Sequence, residues 1–443
     1  MVALIGDWLA GQAALERARL DEIDLWLGTD NPAKVSRRVH QAPSPERQAL
    51  NAMAYTPILR LVVHETAQQM KLDGVTSSRG DTSALWDPWE RTGMPSRQAA
   101  LWRAALGYGY GYTLTLPGAV PGEAARRATI RPTSPRDLYA VYADEAADEW
   151  PMYGLWTLPQ GKGNFVYRFI DDEATHIVSF EGGRFAVIEA QPHGCGVPPI
   201  IRYANEIDLE GRTPGEVDKL KVPAERLNKT TFDRMLIQHF NSWRVRTATG
   251  LAEPGSVEEP ERVKALLRNE DILTGGEGVQ FGSLPETTLD GVLRAEDADR
   301  DTIAAISQTP VWALNGGQLV NLAADAIAEA RSASRLKVQE RQRNVGRPLA
   351  QNFRLAAHIE GRAEDAADFT LKMQWADLES RSMAQAADAL GKIAAQLQVP
   401  VEKLWDMIPG VSKATADEWR AWREAHPTDA QVLAGALDRQ TGL

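Results

Sequence analysis

Several residues in this sequence could do chemistry, but none stands in a pattern that completes an active site. His64 and Glu65 begin a His-Glu-x-x-His zinc motif, yet Gln68 occupies the second histidine position. The run Gly107-Tyr-Gly-Tyr-Gly-Tyr112 resembles a phosphate-binding loop. However, it follows a predicted helix and enters a predicted strand, the reverse of the order that points helix N–H groups at phosphate. We therefore predict a tight helix-to-strand connection there, with no bound metal and no cofactor.

Two further candidates fail for related reasons. Gly161-Lys-Gly163 lacks both the earlier glycine and the Ser or Thr of a Walker loop. Cys195 is the only cysteine, so no intrachain disulfide can form, and no activating His or Asp pattern surrounds it. The seven histidines are scattered and no Gly-x-Ser-x-Gly elbow is present. We predict that the chain is not an enzyme; the alternative is an active site assembled from residues that no motif connects.

The composition limits the partners. A length of 443 residues predicts two to four domains or one elongated subunit. The net charge of −11 argues against tight DNA binding, although negative walls would let a duplex slide past. No apolar run reaches the roughly 18 residues of a membrane span. The N-terminus lacks the pattern of a secretion signal, so we expect synthesis in the cytoplasm.

The central stretch, residues 222–360, organises the chain. We predict a helix over 223–243 with Pro223 in its first turn, a short strand at 244–250, and a second helix over about 288–308 that Thr309-Pro310 ends. A loop follows over 311–319. A very long helix then runs over 321–360, interrupted near Gly346-Arg-Pro348.

Helical and β-rich segments flank this stretch. Residues 113–204 alternate in polarity as strands do, with a hairpin signal at Gly182-Gly183. Thr213 matches the N-cap of a short helix that ends near Leu220. The other predicted elements are helices at 3–27, 51–72, 95–106, 382–398, 401–407, 413–426 and from 430, a loop at 84–93 and a strand at 369–375.

The long central helix carries a basic run. It could face DNA, but we favour pairing of these charges with acids such as Glu329 and Glu340, or with a neighbouring subunit. The run consists of Arg331, Arg335, Lys337, Arg341, Arg343 and Arg347.

The order of these motifs resembles that of a tailed-bacteriophage portal protein, specifically the group found in long-tailed phages of actinobacteria. The resemblance rests on the Arg-x-Arg…Thr-Gly strand that ends at Gly250 and on the turn Ile303-Ala-Ala-Ile-Ser-Gln-Thr-Pro310. The helix-to-strand connection at 107–112 also resembles the family, as does Trp375 with its acidic linker and Ser382. The resemblance extends from about residue 10 to residue 425.

The resemblance implies an α+β portal fold with long helices and a β-rich wing insertion. The segments it implies are a wing at 1–212, a first stem helix at 213–250, a clip at 251–287, a second stem helix at 288–310, a tunnel loop at 311–320, a long wing helix and strand at 321–378, and a helical crown at 379–443.

The resemblance also implies a function. The chain would be one of twelve copies in a ring at a capsid vertex of the virion, the channel for DNA packaging and ejection. Its partners would be the major capsid protein, the terminase large subunit, the head–tail adaptor and double-stranded DNA passing without sequence specificity. The candidates for weak phosphate contact are Asn315, Gln318 and Asn321 in and beside the tunnel loop. The alternative is another structural or adaptor protein of a phage.

Overall fold

The computed structural model describes residues 2–28, 45–118, 126–159, 165–181, 184–242, 246–249, 280–283, 287–315, 331–376, 383–411 and 413–426. Long helices and antiparallel sheets alternate along the chain, which confirms the predicted α+β class. Most of the predicted clip, Gln318 and Asn321 of the predicted site, and the predicted helix from 430 lie outside the described residues. None of the described helices is long and apolar enough to cross a membrane.

Five helices and one strand are described in the N-terminal part, on either side of residues 29–44. They are α1 (Val2–Trp26), α2 (Pro45–Met53), α3 (Ile58–Gln68), β1 (Leu72–Thr76), α4 (Ser83–Arg91) and α5 (Met94–Tyr108). The first helix ends as predicted before Gly28, whose φ is +71°. The single helix predicted over 51–72 is wrong: α2 ends before Pro57, since residues that precede a proline are pushed out of the helical region. The loop predicted at 84–93 is also wrong, because α4 continues through Pro88 and buries Leu85 and Trp89.

The predicted β-rich segment forms two antiparallel sheets. The described strands are β2 (Tyr110–Gly118), β3 (Arg127–Thr133), β4 (Leu138–Val141), β5 (Tyr153–Pro159), β6 (Phe165–Ile170), β7 (Ala174–Glu181), β8 (Arg184–Pro192) and β9 (Ile200–Ala204). One sheet has the strand order β3-β2-β9 and the other the order β4-β5-β6-β7-β8. Gly109, with φ +99°, makes the predicted connection from α5 to β2, where an added Cβ would lie 2.0 Å from the Thr213 carbonyl oxygen. Residues 182–183 lie outside the described part, and Glu181 and Arg184 on either side of them are paired.

Two long helices follow, and we call them the helix pair: α6 (Glu216–Ser242) and α7 (Asp290–Ser307). Between them β10 (Arg246–Thr249) pairs antiparallel with β11 (Gln280–Ser283). The second helix agrees with the prediction. The first begins earlier than predicted, because Asp218 accepts a hydrogen bond from the Gly215 N–H (3.3 Å) and Val217 is buried in the core. Pro223 therefore lies inside α6, and Thr213 is not its cap.

The segment after the helix pair differs from the predicted loop at its start, where residues 311–315 form a short helix, α8 (Val311–Asn315). Leu314 is buried, and this apolar contact favours a helical turn over an open loop. The later elements are α9 (Ser332–Ile359), α10 (Ala363–Ala366), β12 (Lys372–Trp375), which pairs with β1, α11 (Met383–Leu397), 3₁₀ turns at Val401–Lys403 and Trp405–Met407, and α12 (Lys413–Ala425).

The long helix α9 runs without interruption through Gly346 and Pro348, so the predicted break is wrong. Val345, Leu349 and Phe353, spaced four residues apart, are buried on one face of α9. Burial of this face offsets the cost of the hydrogen bond that a proline removes from a helix interior.

Aromatic side chains fill the centre of the molecule. Trp102 meets Tyr203 edge-on with ring centroids 5.8 Å apart, and Trp89 meets Phe353 at 5.7 Å. We call these four residues the aromatic core. Asn352 of α9 donates to the Tyr203 hydroxyl (2.9 Å), so a buried polar contact also fixes α9 against the three-stranded sheet.

Candidate channel-forming helix pair and its root

The helix pair is joined by polar contacts. Arg226 Nε lies 2.5 Å from Asp299 Oδ1, and the Thr230 hydroxyl donates to Asp299 Oδ2 (2.6 Å). Arg234 Nε lies 2.7 Å from Glu296 Oε2. We call these five residues the polar ladder. Because residue numbers rise along α6 as those of their partners fall along α7, the two helices run antiparallel.

The acids of the polar ladder are buried, whereas the base Arg226 extends into water and Arg234 is partly covered. Asp299 and Glu296 are almost fully buried, while the side chain of Arg226 is 55% exposed. Glu296 also receives a contact from Arg300 (2.5 Å). Charge-assisted hydrogen bonds to buried carboxylates are strong and directional. The polar ladder therefore determines the register of α6 against α7.

Apolar packing in the helix pair is concentrated at one end. Ile303 and Leu227 are fully buried near the point where α7 ends. Leu293 of α7, which lies further from that end, is by contrast exposed. At the far end, Asn241 Nδ2 donates to the Thr287 carbonyl oxygen (2.9 Å) and Asn241 Oδ1 accepts a hydrogen bond from the Thr287 N–H (3.4 Å). The pair thus projects from a packed base.

At that base a buried cluster of charges joins α9 to the start of α6, and we call Lys337, Arg341, Glu206 and Glu216 the root cluster. Lys337 Nζ lies 3.0 Å from Glu216 Oε2, and Arg341 Nη2 lies 3.2 Å from Glu216 Oε1. Arg341 also contacts Glu206, to which Lys219 donates (2.6 Å). Glu216 is the first residue of α6, where the positive end of the helix dipole favours an anion.

Burial and neighbouring charges shift the pKa values of the side chains in this region in opposite directions. Burial lowers the pKa of Lys337, against the attraction of the Glu216 carboxylate. Burial alone would raise the pKa of Glu206, but the hydrogen bond from Lys219 and the charge of Arg341 hold it below its usual value. Glu65 on the neighbouring α3 behaves otherwise, since burial raises its pKa despite the nearby Lys337 charge.

The predicted pairing of the basic run is confirmed for Lys337 and Arg341. Arg341 lies 3.3 Å from the predicted partner Glu340, whereas Glu329 lies outside the described residues. The main partner, Glu216, was missed. The signal that could have found it is the acidic position in the predicted helix start after Thr213, but nothing in the sequence connects it to α9.

Of the three predicted tunnel-loop residues, the structure describes Asn315. It is the last residue of α8 and is half-buried. The chain enters α8 through a sharp turn in which Gln308 adopts a left-handed φ of +53°. Arg331 follows residues 316–330 in the sequence. Its guanidinium carbon lies 5.9 Å from the centroid of the Trp312 ring. No group of His, Cys, Asp and Glu side chains suited to a metal occurs among the described residues.

Comparison of the sequence with models of known protein families shows the family to which the chain belongs. Residues 8–429 match the model described as "Phage portal protein, SPP1 Gp6-like". The chain belongs to this family. It is therefore a portal protein, a structural component of the virion at the head-to-tail connection and a subunit of an oligomeric ring. The family confirms the predicted portal function at the head-to-tail connection and the prediction that the protein is not an enzyme.

Solved structures with similar chains come from gene transfer agent particles. The "Neck of native GTA particle computed with C12 symmetry" matches at 15% identity with a TM-score of 0.47, over 80% of this portal and 90% of that chain. The "Virion of native gene transfer agent (GTA) particle" matches at 15% identity and a TM-score of 0.47, over 85% and 98%. Because the sequence identity and the TM-scores are this low, the identification of the protein rests on the family match. No curated protein matches this portal.

Proposed function

We propose that this portal assembles into a ring of twelve at one capsid vertex of a long-tailed phage of the actinobacteriophage type, and that double-stranded DNA is packaged and ejected through its centre. The observation that carries the proposal is the antiparallel helix pair, which projects from a packed base with its register set by the polar ladder. Such a pair, repeated around an axis, would give a wall of helices.

We assign the parts of the chain by the sequence resemblance. Residues 1–212 form the wing, the helix pair with its flanks forms the stem at 213–250 and 288–310, and 251–287 form the clip. The tunnel loop is 311–320, of which the first five residues are helical. Residues 321–378 return to the wing through α9, and 379–443 form the crown.

The chemistry of the channel would be repulsion and weak contact rather than binding. Each subunit carries a net charge of −11, so a ring of twelve is strongly negative and a duplex would slide along it. Asn315, Gln318 and Asn321 would offer neutral hydrogen-bonding groups to phosphates. Phosphate contacts carry no base sequence information, so DNA would pass without sequence specificity.

The remaining partners meet the ring at its outer parts. The short sheet of β10 and β11 has two described strands, and the edges of such a small sheet suit pairing with neighbouring subunits or with the head–tail adaptor. We assign the terminase large subunit to the same end during packaging, and the major capsid protein to the wing.

Two measurements on the same variants test the ring assembly and the role of the tunnel loop. Mass photometry with negative-stain imaging of the full-length protein should show particles of twelve times 48.7 kDa with a central hole. The double variant Asn315→Ala/Gln318→Ala should form the same rings but package less DNA in a phage complementation assay. Gln396→Ala, an exposed amide on α11, is the matched control and should package normally. A protein that stays monomeric on concentration would overturn the ring, and normal packaging by the double variant would remove the loop from the mechanism.

A further inference from the structure

We propose that Lys337 is a positioning residue that holds the entry to the tunnel loop against the start of the first stem helix. The inference rests on the proposed function, because it concerns where the loop stands in the channel. It is carried by two contacts of one ammonium group. Lys337 Nζ donates to the Ser307 carbonyl oxygen (2.9 Å) and lies 3.0 Å from Glu216 Oε2.

The first contact lies where α7 ends. Ser307 is the last residue of α7, and the carbonyl groups of a final helical turn lack partners within the helix. Gln308 turns the chain with a left-handed conformation, and the Thr309 N–H returns to the Ala304 carbonyl oxygen (3.0 Å). A cation on the last carbonyl groups is also favoured by the negative end of the helix dipole. Lys337 therefore completes the end of α7.

The second contact lies where α6 begins. Glu216 opens α6, so its carboxylate stands at the positive end of that helix dipole. One lysine of α9 thus spans the end of one stem helix and the start of the other. Both charged side chains are almost fully buried, Lys337 at 3% exposed and Glu216 at 4%. In a buried, directional contact of this kind a small displacement breaks the hydrogen bond.

The turn that leads into the tunnel loop lies between Ser307 and α8, whose Leu314 is buried in the core. α8 begins four residues after Ser307, so displacement of the Ser307 carbonyl would be passed through Thr309 and Pro310 to the loop. The root cluster would survive the loss of Lys337, because Arg341 still holds the other oxygen of Glu216 (3.2 Å). Buried ion pairs often contribute little net stability but restrict the conformation, which is the role that we assign here.

The test compares Lys337→Met, which keeps the length of the side chain but removes the ammonium group, with Lys392→Met on the exposed face of α11. Hydrogen exchange in assembled rings should quicken by about tenfold or more at residues 308–315 in Lys337→Met, with little change in the wing strands. Packaging should fall as it does in the double loop variant. Lys392→Met should match the natural protein in both measurements. Lys337→Gln, which keeps a donor on a shorter side chain, replaces the methionine variant if that variant does not fold.

The outcomes separate the two proposals. Unchanged exchange at 308–315 would overturn the positioning role, and so would normal packaging by Lys337→Met alongside impaired packaging by the double loop variant. If the double loop variant packages normally, the loop assignment fails, and the exchange at 308–315 still decides whether Lys337 holds this turn.

Discussion

In the aromatic core, Trp89, Trp102 and Phe353 are buried among other rings, whereas the helix pair buries the carboxylates Glu296 and Asp299 against arginines. The two regions thus satisfy different requirements. Aromatic packing removes a large apolar area from water and depends on shape at every contact. Ionic pairs are directional and set a register, but partly exposed ones add little net stability.

This difference suggests a division of roles. The aromatic core gives the portal subunit a stable body from which the helix pair projects. The polar ladder keeps α6 and α7 in one register while it leaves apolar side chains such as Leu293 and Ile306 on the outside, where ring neighbours can cover them. Local opening should accordingly cost less in the helix pair than in the aromatic core.

The largest expected effect comes from Trp102→Ala. Trp102 is fully buried, and its loss should leave a cavity between Tyr203 and Trp375 that lowers the free energy of unfolding by about 3–5 kcal/mol. Trp422→Ala is the matched control, since that side chain is 62% exposed, and should cost less than about 0.5 kcal/mol in the isolated subunit. Denaturant unfolding followed by circular dichroism measures both. Equal losses would mean that the aromatic core is not the stable body.

A smaller effect is expected from Glu296→Gln in the polar ladder. The change leaves Arg234 and Arg300 without their shared carboxylate and should cost about 1–3 kcal/mol. Amide exchange should quicken in α6 and α7 while the three-stranded sheet stays protected. Asp297→Asn on the same helix is the control: its side chain is 65% exposed and its pair with Arg300 should be worth under about 1 kcal/mol. Exchange that quickens everywhere would contradict a separate helix pair.

The smallest expected effect is on the stability of the protein at acidic pH. The pKa of Glu206 is lower in the folded state than its ordinary value of 4.5, so its stabilising contribution is complete above pH 4.5 and is lost as pH falls through the folded value. The midpoint temperature of thermal unfolding should therefore change less between pH 6 and pH 3.5 in Glu206→Gln than in the natural protein. The group is partly exposed, so the difference should stay below about 1 kcal/mol. Parallel curves for the two proteins would show that the root cluster does not depend on Glu206.

Many of the local predictions agree with the structure where a segment's own sequence determines its form. The helix α7, the strands at 165–181 and the connection at Gly109 follow from periodicity and from turn residues. The errors fall where packing opposes a local signal. Pro223 and Pro348 both lie inside helices, because the faces around them are buried against other elements. The helix at 311–315 forms for the same reason, since Leu314 reaches the core.

The predictions about the candidate site also separate into those that a local pattern supports and those that it does not. The segment boundaries and the roles of Asn315, Gln318 and Asn321 remain predictions from the resemblance. The pairing of the basic run was predicted, with Glu340 as one partner, but its main partner was not. Nothing near Lys337 in the sequence points to Glu216 or to the carbonyl oxygen of Ser307.

The amino-acid sequence by itself therefore determined the order of helices and strands and the membership of the portal family. Both are properties of patterns read along the chain, in which each residue is compared with its neighbours. Only the tertiary structure decided which acid each buried base meets and which helix end Lys337 completes. Those contacts join segments far apart in the chain, and their energies depend on a few tenths of an ångström between helices whose packing no local pattern specifies.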